Sequence, residues 1–300
     1  MKYLVFVFCL FGGMISADDI PQYLQSVSVT VSAGNSTGSG VVITRDVEGK
    51  KVNFILTAAH VVDGLRSTRE IINTEGQKKL LVEFKDPEII QELIEEGRTV
   101  GQMTYFAQVL KYSDSENGED IALLMVRKKG LVDASARFYL SDGVVPVGTK
   151  LYHVGSRLGL TGAGSFTFGV MSQVGRVIPL GNRGGVVFDL VNVAGLPGSS
   201  GGGVFMAEGE HAGEYIGMLT RGGDSSFNLI SPIRRMKEYA KEQKLEWLLD
   251  NNVPTPSLKD ILNMPMENSE VVSPARDNAS VEKPTLFKEV FNKAIELLPQ

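Results

Sequence analysis

The chain has 300 residues with a formal net charge of -5, and its charges are interspersed rather than blocked, so nothing in it offers the basic surface that nucleic acid requires. Three hundred residues hold one large domain or two small ones, with ample chain for a hydrophobic core. Its 33 glycines exceed the average usage of roughly 7% and imply many tight turns.

In chain order, residues 1–17 read as a secretory signal peptide. Lys2 supplies the positive start, Tyr3 to Ile15 the apolar run, and Ser16-Ala17 the small-residue cleavage site. The run falls short of the roughly 20 apolar residues that span a bilayer, and a retained anchor is the alternative reading. The lone cysteine, Cys9, lies in this run, so the mature chain has none. A cysteine-free chain suits an oxidising compartment, and the expected location is periplasmic or secreted.

From residue 24 to about 232 the pattern is one of short strands. Val27, Val29 and Val31 alternate with polar residues, Val41 to Thr44 and Phe54 to Ala58 flank a turn at Glu48-Gly49, and Ala107 to Tyr112 and Ile121 to Val126 follow. A second set comprises Lys150 to Val154, Phe166 to Val174, Val186 to Val191, Gly203 to Met206, Tyr215 to Thr220 and Phe227 to Ile230. The split near residues 128–142 predicts an all-β fold of two sheets or barrels. One interruption is expected: Asp86-Pro87-Glu88 carries the signals of a helix start and Gly97 a stop, which predicts a surface helix.

Beyond 232, Ile233, Met236, Ala240 and Trp247 fall near one face of a charged helix running to about Leu249. Residues 251–284 are polar and proline-containing and read as a flexible linker. Phe287, Val290, Phe291, Ala294, Ile295 and Leu298 then recur at helical spacing, giving an amphipathic helix over 285–300 that either docks back on the barrels or captures a partner chain, a second copy included.

Three pieces carry chemistry. A serine hydroxyl is a weak nucleophile and needs a base, a group to orient that base, and donors for the oxyanion. Ser200 sits in Gly198-Ser199-Ser200-Gly201-Gly202, where glycine permits backbone angles that let amides converge, Gly198 and Ser200 foremost. There are three histidines. His211 belongs to a polar hairpin and His153 to a strand, where packing is the default. His60 ends the apolar segment Phe54 to Ala59. Of the acids Asp114, Glu116, Glu119 and Asp120, Asp120 borders Ile121-Ala122-Leu123-Leu124 and can be carried inward at a strand start, beside the histidine whose tautomer it would fix. Gly198-x-Ser200-x-Gly202 also satisfies the nucleophile-elbow pattern. That pattern places acid and histidine after the serine, and here only His211 follows, so chain order excludes it.

With these residues in place, the chain resembles the chymotrypsin-fold, trypsin-like serine proteases, and most closely the protease domain of the HtrA (DegP-type) family. The likeness rests on Gly38 to Ile43 with Thr57-Ala58-Ala59-His60, on Gly118 to Leu124, on Val154 to Arg176, and on Pro197 to Phe205, and it covers roughly residues 24–235. It implies a protease domain over 18–235 made of two six-stranded antiparallel barrels, at about 24–130 and 140–232, followed by a packing helix over 236–250. It further implies catalysis by His60, Asp120 and Ser200, an oxyanion hole in the Gly198, Ser199, Ser200 loop, polypeptide substrates, no metal or other cofactor, and a part in protein quality control.

Ser199 replaces the aspartate that serves the zymogen switch of digestive relatives, and Ala194 stands at the pocket base where trypsin-type enzymes carry an acid. Leu196 and Pro197 are further substrate-binding positions, Thr220-Arg221-Gly222 matches the strand that pairs with substrate backbone, and Ala194 with Gly222 at the pocket entrance implies a preference for small or medium apolar residues before the scissile bond rather than Lys or Arg. The roughly 65 residues after 235 are too few for the PDZ domain that such proteases usually carry. Two other functions fit the same residues: a binding or chaperone-like protein on a protease fold, and a mainly self-processing enzyme.

Overall fold

The computed structural model describes residues 20–266 apart from 73–77, 96, 129, 181–183 and 223–225. The expected signal peptide, the end of the expected linker (267–284) and the helix expected at 285–300 lie outside the described residues. No helix among the described residues is long and apolar enough to cross a membrane.

A short helix, α1 (Ile20–Ser26), buries Ile20 and Leu24 ahead of strands β1 (Ser28–Ala33), β2 (Ser36–Val47) and β3 (Lys50–Thr57). Glu48 and Gly49 both have positive φ (54° and 75°), the conformation of a two-residue turn whose twist matches its flanking strands. The one-turn helix α2 (Ala59–Val62) follows, then a hairpin of β4 (Arg66–Ile72) and β5 (Lys78–Phe84) that pair only with each other. Strands β6 (Glu88–Glu95), β7 (Arg98–Ser113) and β8 (Ile121–Val126) complete a closed barrel in the order β1-β2-β3-β8-β7-β6.

β6 corrects the helix expected from Asp86-Pro87-Glu88 to Gly97. Residues Glu88 to Ile90 pair with β1 and Glu88 to Glu95 with β7, so this strand closes the barrel and satisfies both of its edges. Ile89 is fully buried and Gln91 donates to the Ser26 carbonyl. Asp86 does not cap a helix but binds Arg127, and Gly97, at φ 74°, turns a hairpin. The local helix signals were real, and long-range pairing overrode them.

The second half holds β9 (Arg137–Phe138), β10 (Lys150–Arg157), β11 (Gly162–Pro179), β12 (Gly185–Val191), β13 (Gly203–Met206), β14 (Glu214–Gly222) and β15 (Asn228–Pro232). Their order is β13-β10-β11-β12-β15-β14-β9. β13 also pairs with β14, which joins the ends of a six-strand run, while β9 adds a parallel pair to β14. The two-barrel architecture expected from the strand clusters is therefore present.

Helix α3 (Ile233–Glu242) buries Ile233, Met236 and Ala240, the face the spacing predicted. The helix does not continue to residue 249, because Lys244 takes a left-handed φ of 57° and α4 (Glu246–Leu249) starts afresh. That bend turns Trp247 onto the first barrel, edge-on to Phe54 with centroids 5.2 Å apart. Arg45 of β2 secures the segment by donating to the Trp247 carbonyl at 2.8 Å.

The first part of the expected linker, residues 251–266, is packed rather than free. Ser257 caps α5 (Leu258–Leu262), Ile261 is fully buried, and the Met266 carbonyl accepts from the Tyr112 amide at 3.1 Å. Leu258 and Ile261 lie at helical spacing and Val253, Met264 and Met266 also pack on the core, but the prolines and polar residues around them dominate the composition and pointed to a linker.

Candidate active site

The first barrel supplies His60 and Asp120. β3 is buried from Val52 to Thr57, and the chain turns at Ala58 into α2, which sets His60 at the barrel rim with 35% of its side chain exposed. Asp120 immediately precedes β8 and is buried, its side chain 5% exposed. One carboxylate takes two hydrogen bonds from one residue: the His60 amide donates to Oδ1 at 3.1 Å, and His60 Nδ1 lies 3.1 Å from Oδ1 and 3.0 Å from Oδ2. A carboxylate facing Nδ1 selects the tautomer with hydrogen there and leaves Nε2 as the basic atom.

Asp120 has a φ of 55°, a left-handed conformation uncommon for a residue with a side chain. Its loop is built to hold it. Asp114 Oδ1 accepts from the Glu116 and Asn117 amides at 2.8 Å, the Asp114 carbonyl accepts from Gly118 at 2.8 Å and from Asp120 at 3.3 Å, and Ser113 Oγ accepts from Glu119 at 2.7 Å. The acids crowded in this loop thus divide: Asp114 shapes it, Glu116 faces solvent, Glu119 meets Arg235, and Asp120 faces the histidine.

Ser200 comes from the loop between β12 and β13, and the first barrel grips that loop. The Ser39 amide donates to the Ser200 carbonyl at 2.7 Å, and Ser39 Oγ donates to the Gly198 carbonyl at 2.7 Å while accepting from the Ser156 amide at 2.7 Å. Gly38, the preceding residue of β2, packs against Val61, the residue after His60, and also approaches the Ser200 carbonyl. The strand that carries Gly38 and Ser39 therefore touches both the His60 turn and the Ser200 loop, and Gly201 of that loop itself packs against Thr57 and Ala58.

Gly198 and Gly201 have φ of 93° and 88°, and a Cβ on either would collide with backbone, of Ser156 and Gly159 in one case and of Ser39 and Ala58 in the other. Among the described residues, the Gly198 and Ser200 amides donate to no protein acceptor. The Ser199 amide, by contrast, donates to the Leu196 carbonyl at 2.9 Å, and Ser199 Oγ accepts from the Leu196 amide at 3.1 Å. Ser199, fully buried, closes the loop on itself, so two amides of the three-residue segment remain open and its own is occupied.

Ala194 and Leu196 are partly buried, Pro197 is exposed, and the Pro197 carbonyl accepts from Leu158 at 2.7 Å. Thr220 is buried, Gly222 exposed, and Arg221 Nη2 reaches the Ser115 carbonyl of the Asp120 loop at 2.9 Å. Between the 194–196 and 220–222 segments lies Asn228, which sequence reasoning did not single out. It is fully buried and donates from Nδ2 to the Val193 carbonyl at 2.7 Å. Its carboxamide sits where a Cβ on Gly195 or Gly222 would point, with Cγ 3.0 and 3.3 Å from those positions. Ser39 is the second residue missed. A serine between two glycines was visible, but its bonds reach residues more than a hundred positions away.

The other two histidines lie apart from this pair. His211 Nδ1 meets Glu214 at 3.0 Å on the hairpin before β14, with its ring edge-on to Tyr139. His153 is fully buried, its Nδ1 3.0 Å from the Gly203 carbonyl, and burial lowers its pKa from 6.5 to about 4. That shift sets a pH dependence of stability. Between pH 6.5 and 4 the unfolded chain binds a proton at His153 and the folded chain does not, so stability falls as pH drops through this window and levels off below it, by about 3 kcal/mol in all. Denaturant titrations from pH 7 to 4 should show that loss in the wild type and a flatter profile in His153→Asn; parallel profiles would contradict it.

Residues 38–213 match the model of the trypsin-like peptidase domain, more than half of the chain, and the protein belongs to that family of serine-type peptidases. Among solved structures it is similar to the serine endoprotease from Yersinia pestis, at 14% identity and a TM-score of 0.52 over 78% of this chain and 68% of that one. It is also similar to the HtrA-type protease AlgW solved with a tripeptide, at 20% identity and a TM-score of 0.52 over 78% of this chain and 64% of that one. At these identities the likeness is one of fold, and this chain spans less than two thirds of the length of AlgW. No curated protein matches the sequence.

Proposed function

We propose that the protein is an exported serine endopeptidase acting through His60, Asp120 and Ser200, with a part in the quality control of exported polypeptides. The observation that carries the chemistry is the buried Asp120 carboxylate on His60 Nδ1, combined with a glycine loop that keeps two amides open and is tied to the same strand as the His60 turn. Export rests on the signal-like residues 1–17.

In this reading His60 Nε2 takes the Ser200 proton as Oγ attacks the scissile carbonyl. The amides of Gly198 and Ser200 receive the oxyanion, and Asp120 stabilises the imidazolium that forms. Collapse expels the amine, which takes its proton from His60, and leaves an acyl ester on Ser200. Water, deprotonated by His60, then hydrolyses the ester and restores the serine. The pre-formed loop, closed by Ser199 itself, supports activity without an amino-terminal zymogen switch.

Asn228 supports a preference for small residues before the scissile bond. Its carboxamide fills the space between the two segments that flank the side chain of that residue, and Ala194 brings no acid to attract Lys or Arg. Asn228→Ala opens this space. Profiling with a peptide library should show small apolar residues favoured by the wild type, and a shift of about tenfold or more towards Leu, Met or Phe in the variant. Strict cleavage after Lys or Arg, or an unchanged profile in the variant, would overturn this assignment.

A further inference from the structure

We propose that Arg235, on α3, is a positioning residue for the His60–Asp120 pair, acting through Glu119; this rests on the peptidase reading above. Arg235 Nε donates to Glu119 Oε2, and its Nη2 donates to the Glu119 carbonyl oxygen at 2.9 Å. That carbonyl belongs to the peptide linking Glu119 to Asp120. The guanidinium thus holds the peptide plane from which the left-handed Asp120 departs, at the point where a strained backbone most needs external support.

The brace is buried and anchored at both ends. The two side chains are 10% and 18% exposed, far drier than a surface pair, so loss of either partner leaves a desolvated charge. Arg235 also stacks over the Phe188 ring at 5.1 Å and reaches the Val187 carbonyl at 3.4 Å, both on β12. Its neighbour Arg234 clasps the buried Asp189 of the same strand with two bonds of 2.6 and 2.7 Å. α3 is therefore fixed to the second barrel, and through Arg235 that barrel holds a loop of the first. Arg221, from β14, adds a parallel tie to Ser115 in the same loop. Both arginines bond to the backbone of the Asp120 loop, at Glu119 and Ser115, so their effect on catalysis is exerted through the position of Asp120.

The test uses the full chain with Arg235→Met, Arg235→Lys, Glu119→Gln and the double variant Arg235→Met/Glu119→Gln, each characterised by kcat, KM and thermal melting. A misplaced carboxylate affects the transition state more than substrate binding, so kcat should fall by about 10²-fold in Arg235→Met with KM within about twofold. The double variant should be no worse than the poorer single one, because both break one brace. Arg235→Lys, which can pair with the carboxylate but cannot fork to the carbonyl, should retain an intermediate kcat. An activity-independent readout accompanies these: the His60 Nδ1 proton, followed by NMR, should exchange with solvent faster in Arg235→Met and Glu119→Gln than in the wild type.

A kcat within about twofold of wild type, losses that multiply in the double variant, or unchanged exchange of that proton would overturn the proposal. If Arg235→Met does not fold, the Lys and Glu119→Gln variants decide. A wild type that hydrolyses no peptide sinks the peptidase reading instead, and the exchange measurement still reports on the brace.

Discussion

Ser200→Ala should lower kcat by a factor on the order of 10⁶ while leaving the fold intact. The loop does not depend on the Ser200 hydroxyl for its shape. Ser199 closes the turn through Leu196, the Gly201 amide bonds to the Leu219 carbonyl at 2.8 Å, and the Ser200 carbonyl is held by Ser39. Without Oγ no acyl ester forms, and the oxyanion amides and substrate contacts are left to act on water alone, which accounts for the size of the loss. The comparison to make is peptide turnover by both proteins at matched melting temperature. Comparable turnover would remove Ser200 from the mechanism.

Asp120→Asn carries the second largest effect, a loss on the order of 10⁴ in kcat, by a different route. The carboxylate now accepts from both the His60 amide and Nδ1. An asparagine has one acceptor oxygen, and the His60 amide holds it, so the side-chain NH₂ is turned towards the ring. It then donates to Nδ1, and the imidazole hydrogen is driven to Nε2, the atom that must take the serine proton. Geometry is preserved and basicity is lost at the working nitrogen. Kinetics with a peptide ester and a peptide amide, together with the imidazole tautomer read by nitrogen NMR, check this expectation. Activity within tenfold of wild type would show that Asp120 does not orient the base.

Much of the fold follows from residue pattern. Alternation at Val29 and Val31 and the apolar run Ile121 to Val126 became β1 and β8 because side chains on those strands have a core to face. The errors arise where partners distant in sequence decide. Asp86 to Gly97 carries locally sound helix signals, yet the barrel lacks a sixth strand unless Ile89 pairs towards Val31. The β4–β5 hairpin pairs outside the barrel and leaves Ile72 largely exposed, and its alternation at Leu80, Val82 and Phe84 is diluted by the Lys, Arg and Glu around it. Residues 251–266 dock through Ile261, which composition hides.

The site shows the same division. The His60–Asp120 contact and the glycine-rich Ser200 loop could be anticipated because each residue sits at the end of an apolar segment or in a glycine turn whose signal is local. Ser39, Asn228 and Arg235 could not, since each acts through hydrogen bonds to residues distant in sequence, Ser39 and Arg235 across the two halves and Asn228 within the second. Nothing in Ile233 to Glu242 marks Arg235 apart from Arg234, and only the fold assigns one to Asp189 and the other to Glu119. Ser199 stands between these cases: its position flagged the loop proposed to receive the oxyanion, and in the structure it closes that turn through Leu196.

On the proposed function, Ser200 is a nucleophile that only the folded protein activates. Incubation with a fluorophosphonate, followed by mass spectrometry of the digested protein, tests it most directly. A single residue, Ser200, should be phosphonylated in the wild type, with no labelling of Ser200→Ala or of unfolded chain. An unlabelled wild type, or equal labelling of the wild type and Ser200→Ala, would contradict it.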